Sequence, residues 1–117
     1  KKRLKQDYKN RPPEGGVFQI ENLHNGKIYI GSHMNVRAAL NSIPFQLKRG
    51  VLRHKELQAD YNQLGPDMFS FAVLERLEPQ DDPNYDYHAD LETLEELWLE
   101  KLQPFGERGY NKLIKKN

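Results

Sequence analysis

Three kinds of side chain in this sequence could act on a phosphate: a carboxylate set among apolar residues, a strand tyrosine, and clustered cations. The carboxylate is Glu95. Between Tyr87 and Gln103, Leu91, Leu94, Trp98 and Leu102 recur at helical spacing and make one apolar stripe. Glu92, Glu96 and Glu100 fall on its flanks or the far side, but Glu95 falls between Leu91 and Leu102 in angular position. A carboxylate inside a buried stripe is costly unless a cation or a hydrogen bond satisfies it. Glu95 is therefore a candidate for a ligand role, with pairing to an arginine or a tilt into a pocket edge as the structural alternatives. The tyrosine is Tyr29. Alternation along its strand points it away from Ile28 and Ile30, which leaves its hydroxyl for a polar pocket; covering the sheet is the plainer use of such a residue. His33, two residues after Gly31, is a candidate general base, since imidazole as a group exchanges its proton near neutral pH. Without further support, His33 and His54 both read as surface histidines.

The cations are unevenly placed. Net charge is +1 over 117 residues, yet residues 1–11 hold Lys1, Lys2, Arg3, Lys5, Lys9 and Arg11 against the single acid Asp7. Lys48, Arg49, Arg53 and Lys55 form a second cluster, and Lys112, Lys115 and Lys116 a third. Ten of the seventeen acids lie between Glu75 and Glu100, so a nearly neutral chain could still present a basic face to a polyanion. With no cysteine there is neither a disulfide framework nor a thiolate metal site. No apolar run approaches the ~18 residues needed to cross a bilayer, and the N-terminus is not signal-like. The compartment expected by default is cytoplasmic.

The elements that must position these groups begin with a hairpin. Gly16 to Glu21 and Lys27 to Gly31 flank Asn25-Gly26, a dipeptide suited to the positive φ angles of a tight turn. Phe18 and Ile20 share one face of the first strand; Val17, Gln19 and Glu21 share the other. Asn35 is the expected N-cap of a helix whose Val36, Ala39, Leu40, Ile43 and Leu47 face the core, and Pro44 is expected to end, kink or restart it. A helix from about Leu52 to Leu64 stops at Gly65-Pro66-Asp67. Met68 to Leu74 alternates as a third strand, Glu78 to Asp86 is an acidic loop, and Pro104 stops the Tyr87–Gln103 helix. The chain divides into a basic arm (1–15), one domain (16–111) and a basic tail (112–117).

Gly16-Val17-Phe18, about ten residues, Tyr29-Ile30-Gly31, then Glu95 on a helix and Gly109-Tyr110-Asn111, resemble in order and spacing the GIY-YIG nuclease family. Asn25-Gly26-Lys27, Leu57-Gln58, Gly65 and Phe69 through Glu75 support the match, which spans roughly residues 16–111. The resemblance implies an α/β (α+β) fold, a small three-stranded, mostly antiparallel sheet flanked by helices. It also implies cutting of a nucleic-acid phosphodiester, with DNA as the expected partner and one divalent cation, Mg2+ or Mn2+, as cofactor. Matched by motif, the metal carboxylate falls on Glu95, the second-motif tyrosine on Tyr29 and the asparagine after Gly-Tyr on Asn111.

Two positions depart from that pattern. The tyrosine of the first motif is Phe18 here, and the arginine expected about ten residues after the second-motif tyrosine falls at Ala39. Arg37 is near, but two residues along a helix rotate a side chain by ~200°. A histidine often found one turn further on corresponds to Ile43. Losing a general base costs ~10²–10⁴ in rate; losing a charge-stabilising donor costs ~10²–10³. Binding can outlast cleavage, because affinity comes largely from phosphate contacts; Lys27, Lys48, Arg49, Arg53 and Lys55 are the candidates. Three readings follow: a DNA-binding domain with an eroded site, a working but divergent metal-dependent endonuclease, or a protein-interaction module using the acidic loop.

Overall fold

Apolar residues alternate with polar ones through Gly16–Asn22, and this segment becomes β1 in the computed structural model, which describes residues 14–112. It is the central strand. β2 (Ile28–His33) and β3 (Phe69–Arg76) pair with it antiparallel on either side, giving the order β2-β1-β3. The expected small antiparallel sheet with flanking helices is therefore the observed architecture. The N-terminal arm up to residue 13 and the tail from residue 113 lie outside the described residues.

The hairpin turns at Asn25-Gly26, as the dipeptide suggests, but through a loop longer than the dipeptide itself. The Asn22 N–H bonds to the Lys27 carbonyl at 2.8 Å, so four residues, 23–26, make the connection. Gly26 still supplies the positive φ of 79°, and the Asn25 side chain accepts the Lys27 N–H.

Helix α1 (Val36–Arg49) starts where expected, with the Asn35 side chain accepting the Ala38 N–H at 3.0 Å. It does not break at Pro44, which sits inside one continuous helix ending at Gly50 in the left-handed conformation. Helix α2 (Lys55–Leu64) begins three residues later than expected because His54 caps it. Helix α3 (His88–Leu102) follows the acidic loop.

Phe18, Ile20, Val36, Ala39, Leu47, Leu57 and Phe69 make the main core, where α1 and α2 cover one sheet face. Register pairs Phe18 with Gly31 and Ile20 with Tyr29, so Tyr29 shares this face. Alternation turns Val17, Ile30 and Ser32 to the other; helix α3 lies against β2 and β1. The chain then returns along the free edge of β2. Gly109 bridges Ile28 in parallel, and the Tyr110 N–H bonds to the Ile28 carbonyl at 2.9 Å. Only glycine fits at 109, since a Cβ there would strike the Pro104 and Ile28 carbonyls.

Candidate functional site

The α3 stripe brings Glu95 to β2, half-buried as its angular position demands. Its burial is compensated by a hydroxyl, not by an arginine: Ser32 Oγ donates to Glu95 Oε1 at 2.5 Å. The Glu95 charge also reaches Tyr29. Burial first, and the Glu95 carboxylate second, hold the Tyr29 hydroxyl above the ordinary phenol value. These two residues therefore share one electrostatic neighbourhood, although they belong to an α3 residue and a strand residue facing α1 and α2. At neutral pH Tyr29 is protonated, a hydrogen-bond donor and not a base.

The surroundings of Tyr29 are less polar than alternation suggested. Its ring lies 6.4 Å from that of Phe18 and 5.4 Å, edge-on, from that of His54. The Phe18 ring is buried and pressed onto Gly31, where a Cβ would fall 2.5 Å from it. Phe18 is thus a core side chain with no hydroxyl to offer. Ala39 is also core, 7% exposed. Because α1 is capped at Asn35 and passes Pro44 unbroken, its register does not shift, and Arg37 stays on the exposed face away from Ala39. The space beside Tyr29 is a cavity of about 170 Å³ whose lining includes Phe18, Ile20, Ile43, Leu57 and Arg53 but not Glu95.

The remaining motif residues have partners of their own. The Asn111 amide donates to the Ile30 carbonyl and accepts the Ile30 N–H, both at 2.8 Å. That consumes the side chain in edge pairing and makes Asn111 a positioning residue for the strand that carries Tyr29. His33 is exposed, and its Nδ1 accepts the Asn35 N–H at 2.9 Å, shaping the entry into α1. Lys27 Nζ is 2.8 Å from Glu56 Oε2 and lies over the Tyr110 ring, so its charge is already partnered. Lys48 and Lys55 are exposed, Arg49 stacks over the exposed Phe45, and Arg53 stands at the cavity.

Four contributors escaped the sequence reading. His54 is half-buried rather than a surface histidine: its Nδ1 accepts the Leu57 N–H, and its Nε2 lies 2.7 Å from the Tyr110 carbonyl oxygen. Asn22 is fully buried and donates to the Tyr110 hydroxyl at 2.9 Å, which donates to Asp60 at 2.7 Å. Ser32 is the fourth. Asn22 left a signal, a polar residue continuing the buried Phe18-Ile20 alternation; Asp60 and Ser32 left none.

No group of three or more His, Cys, Asp or Glu side chains able to hold a metal occurs among the described residues. Magnesium needs less where a substrate phosphate completes its shell, since one or two carboxylates and retained waters suffice. Glu95, with Oε1 fixed by Ser32, fits such a weakly held ion.

A three-stranded antiparallel sheet between helices, with the two motif tripeptides on adjacent strands and a helix glutamate brought to the second, defines the GIY-YIG nuclease fold. The chain has that fold. It is similar to the catalytic domain of the homing endonuclease I-TevI, with 27% identity and a TM-score of 0.67 over 83% of this chain and 96% of that one. It is likewise similar to a glutamate-to-alanine variant of the intron endonuclease I-TevI catalytic domain, at 26% identity and a TM-score of 0.65 over 83% and 91% of the two chains. No protein-family model and no curated protein matches the chain. No helix among the described residues is long and apolar enough to cross a membrane.

Proposed function

We propose that this chain is a DNA-binding domain on the GIY-YIG scaffold whose phosphodiester-cleaving site is eroded. The observation that carries this reading is the pair Phe18 and Ala39. Both are core side chains where a nucleophile-positioning phenol and a phosphate-stabilising guanidinium belong; the Arg53 guanidinium lines the cavity beside Phe18, but it comes from the α1–α2 connection and not from the Ala39 position. Tyr29 would donate its hydroxyl to a phosphate oxygen. Glu95 would hold a magnesium or manganese ion beside it, and the ion would supply charge neutralisation and a polarised water. Lys48, Arg49, Arg53 and Lys55 would neutralise backbone phosphates. Lys27 is a weaker candidate, because it must leave Glu56 to do so.

The missing groups bear on rate more than on affinity. A lost base and a lost charge-stabilising donor cost ~10²–10⁴ and ~10²–10³ respectively, without multiplying where they act as a unit. A second reading, residual metal-dependent cleavage, is favoured by the shared neighbourhood of Tyr29 and Glu95.

One experiment separates the two. Plasmid and branched DNA are incubated with the protein, with and without magnesium or manganese, alongside Glu95→Ala. The expected outcome is a mobility shift that weakens steeply with salt, no nicking by either protein, and retained binding by the variant. Nicking by the parent that Glu95→Ala abolishes would establish the second reading. Absent or salt-insensitive binding would sink the first.

A further inference from the structure

The cavity beside Tyr29 is built for something other than a phosphate. Phe18, Ile20 and Leu57 are all buried in its lining, Ile43 and Leu52 are half-buried, and the polar groups are Tyr29, Gln46, Arg53 and His54. A phosphate placed on that apolar surface would lose its hydration with little in return. No carboxylate lines the cavity, and its one permanent charge is the Arg53 guanidinium. Its volume of about 170 Å³ is close to that of an apolar cavity of about 150 Å³ that holds a benzene ring. The Tyr29 ring lies 6.4 Å from that of Phe18 at 48° and 5.4 Å from that of His54 at 78°, so the three line the cavity at differing tilts. The Gln46 amide donates to Ser42 at 2.8 Å, which leaves its carbonyl oxygen for another partner. A side-chain amide matches the donor and acceptor edge of a base.

We infer that this cavity binds one unpaired pyrimidine base of a nucleic-acid strand, with Phe18, Tyr29 and His54 as its aromatic walls, Gln46 meeting the base edge, and Arg53 meeting the phosphate of the same nucleotide. The inference rests on the nucleic-acid-binding reading above. On that footing, Phe18 gives the recess an apolar aromatic wall at the position where the family pattern carries a phenol. The α1–α2 connection that carries Leu52, Arg53 and His54 into the lining is flanked in sequence by the exposed cations Lys48, Arg49 and Lys55. Unpaired bases are commonly recognised this way, stacked on aromatic rings with a guanidinium nearby.

The test compares fluorescence anisotropy of labelled single-stranded 12-mers of thymidine, of deoxyadenosine and of abasic spacer, which carry the same phosphates. The thymidine oligomer is expected to bind roughly tenfold or more tightly than the abasic one, as a stacked base should, and the deoxyadenosine oligomer several-fold more weakly than thymidine. Leu52→Trp, which fills the recess, should reduce thymidine binding to the abasic level while leaving the salt slope unchanged. Gln46→Ala, which removes a side chain whose amide nitrogen bonds Ser42 and keeps the backbone carbonyl that caps α1, should lower the thymidine preference in a protein whose core is intact. Equal binding of thymidine and abasic strands, equal binding of thymidine and deoxyadenosine, or a preference untouched by both variants would overturn the base-recess proposal alone. Failure to bind any of the strands would instead overturn the nucleic-acid reading beneath it.

Discussion

At the scale of single residues, His54 carries more than any sequence signal assigned it. Because Nδ1 accepts the Leu57 N–H, the proton resides on Nε2 and is donated to the Tyr110 carbonyl. One imidazole therefore caps α2, ties it to the returning C-terminal segment, and supports the Tyr29 ring edge-on. Replacing His54 by alanine removes a cap and a half-buried hydrogen bond together, a loss of about 1–3 kcal/mol. His54→Asn, which can keep the cap but not reach Tyr110, should lie between parent and alanine; guanidinium denaturation monitored by the single tryptophan, Trp98, would measure both. Glu95 shows the opposite case. Its anomalous position in an apolar stripe was legible, because helical periodicity alone places it, whereas the Ser32 hydroxyl that satisfies it comes from a strand 63 residues away in sequence and leaves no local trace.

At the scale of elements, α1 separates what local sequence determines from what packing decides. Its N-cap and the stripe Val36, Ala39, Leu40, Ile43 and Leu47 follow from residue type and spacing, and they lie as expected. The break expected at Pro44 does not occur. Burying the stripe on β1, β2 and β3 outweighs one lost i→i−4 hydrogen bond, as tertiary packing commonly outweighs propensity. Pro44→Ala should accordingly stabilise the protein by about 1–3 kcal/mol, since a helix-interior proline costs up to about 3. Calorimetry should show the unfolding temperature rise by several degrees; an unchanged or lower value would mean that the proline ring supplies packing that offsets its backbone cost. The late start of α2 has a similar origin. Leu52, expected within the helix, instead packs against the core, while its N–H is taken by the Gln58 side chain at 3.0 Å. Asn111 could be matched to a motif, but that both ends of its amide serve the Ile30 backbone follows only from the path of the chain.

At the scale of the whole molecule, the buried network Asn22–Tyr110–Asp60 couples the hairpin, α2 and the C-terminal segment to alkaline pH. Burial, opposed by the Asn22 hydrogen bond and reinforced by Asp60, raises the Tyr110 hydroxyl well above the ordinary phenol value. An unfolded tyrosine ionises near ~10. Below that pH neither state ionises and the full contribution to stability is present; above it the unfolded chain sheds a proton that the folded chain keeps, and stability falls. The urea midpoint should therefore decline between pH 9 and 11, roughly the window set by the ordinary phenol value, more steeply in the parent than in Tyr110→Phe. Absorbance of the phenolate should show Tyr110 and Tyr29 titrating late. The overall fold was legible through the order and spacing of the motifs, which carry the family resemblance; the strand order and the pocket's apolar character were not, since the latter depends on which side chains from α1, the α1–α2 connection and α2 meet over Phe18. The return of residues 109–111 along β2 has one more consequence. An outer strand with bare amides and carbonyls invites strand addition from a second copy. Here the chain occupies that position itself, with Tyr110 and Asn111 holding the Ile28 and Ile30 groups that would otherwise be open. Shortening the chain ahead of Gly109 would uncover them, and the same hairpin that organises the domain would become a template for self-assembly.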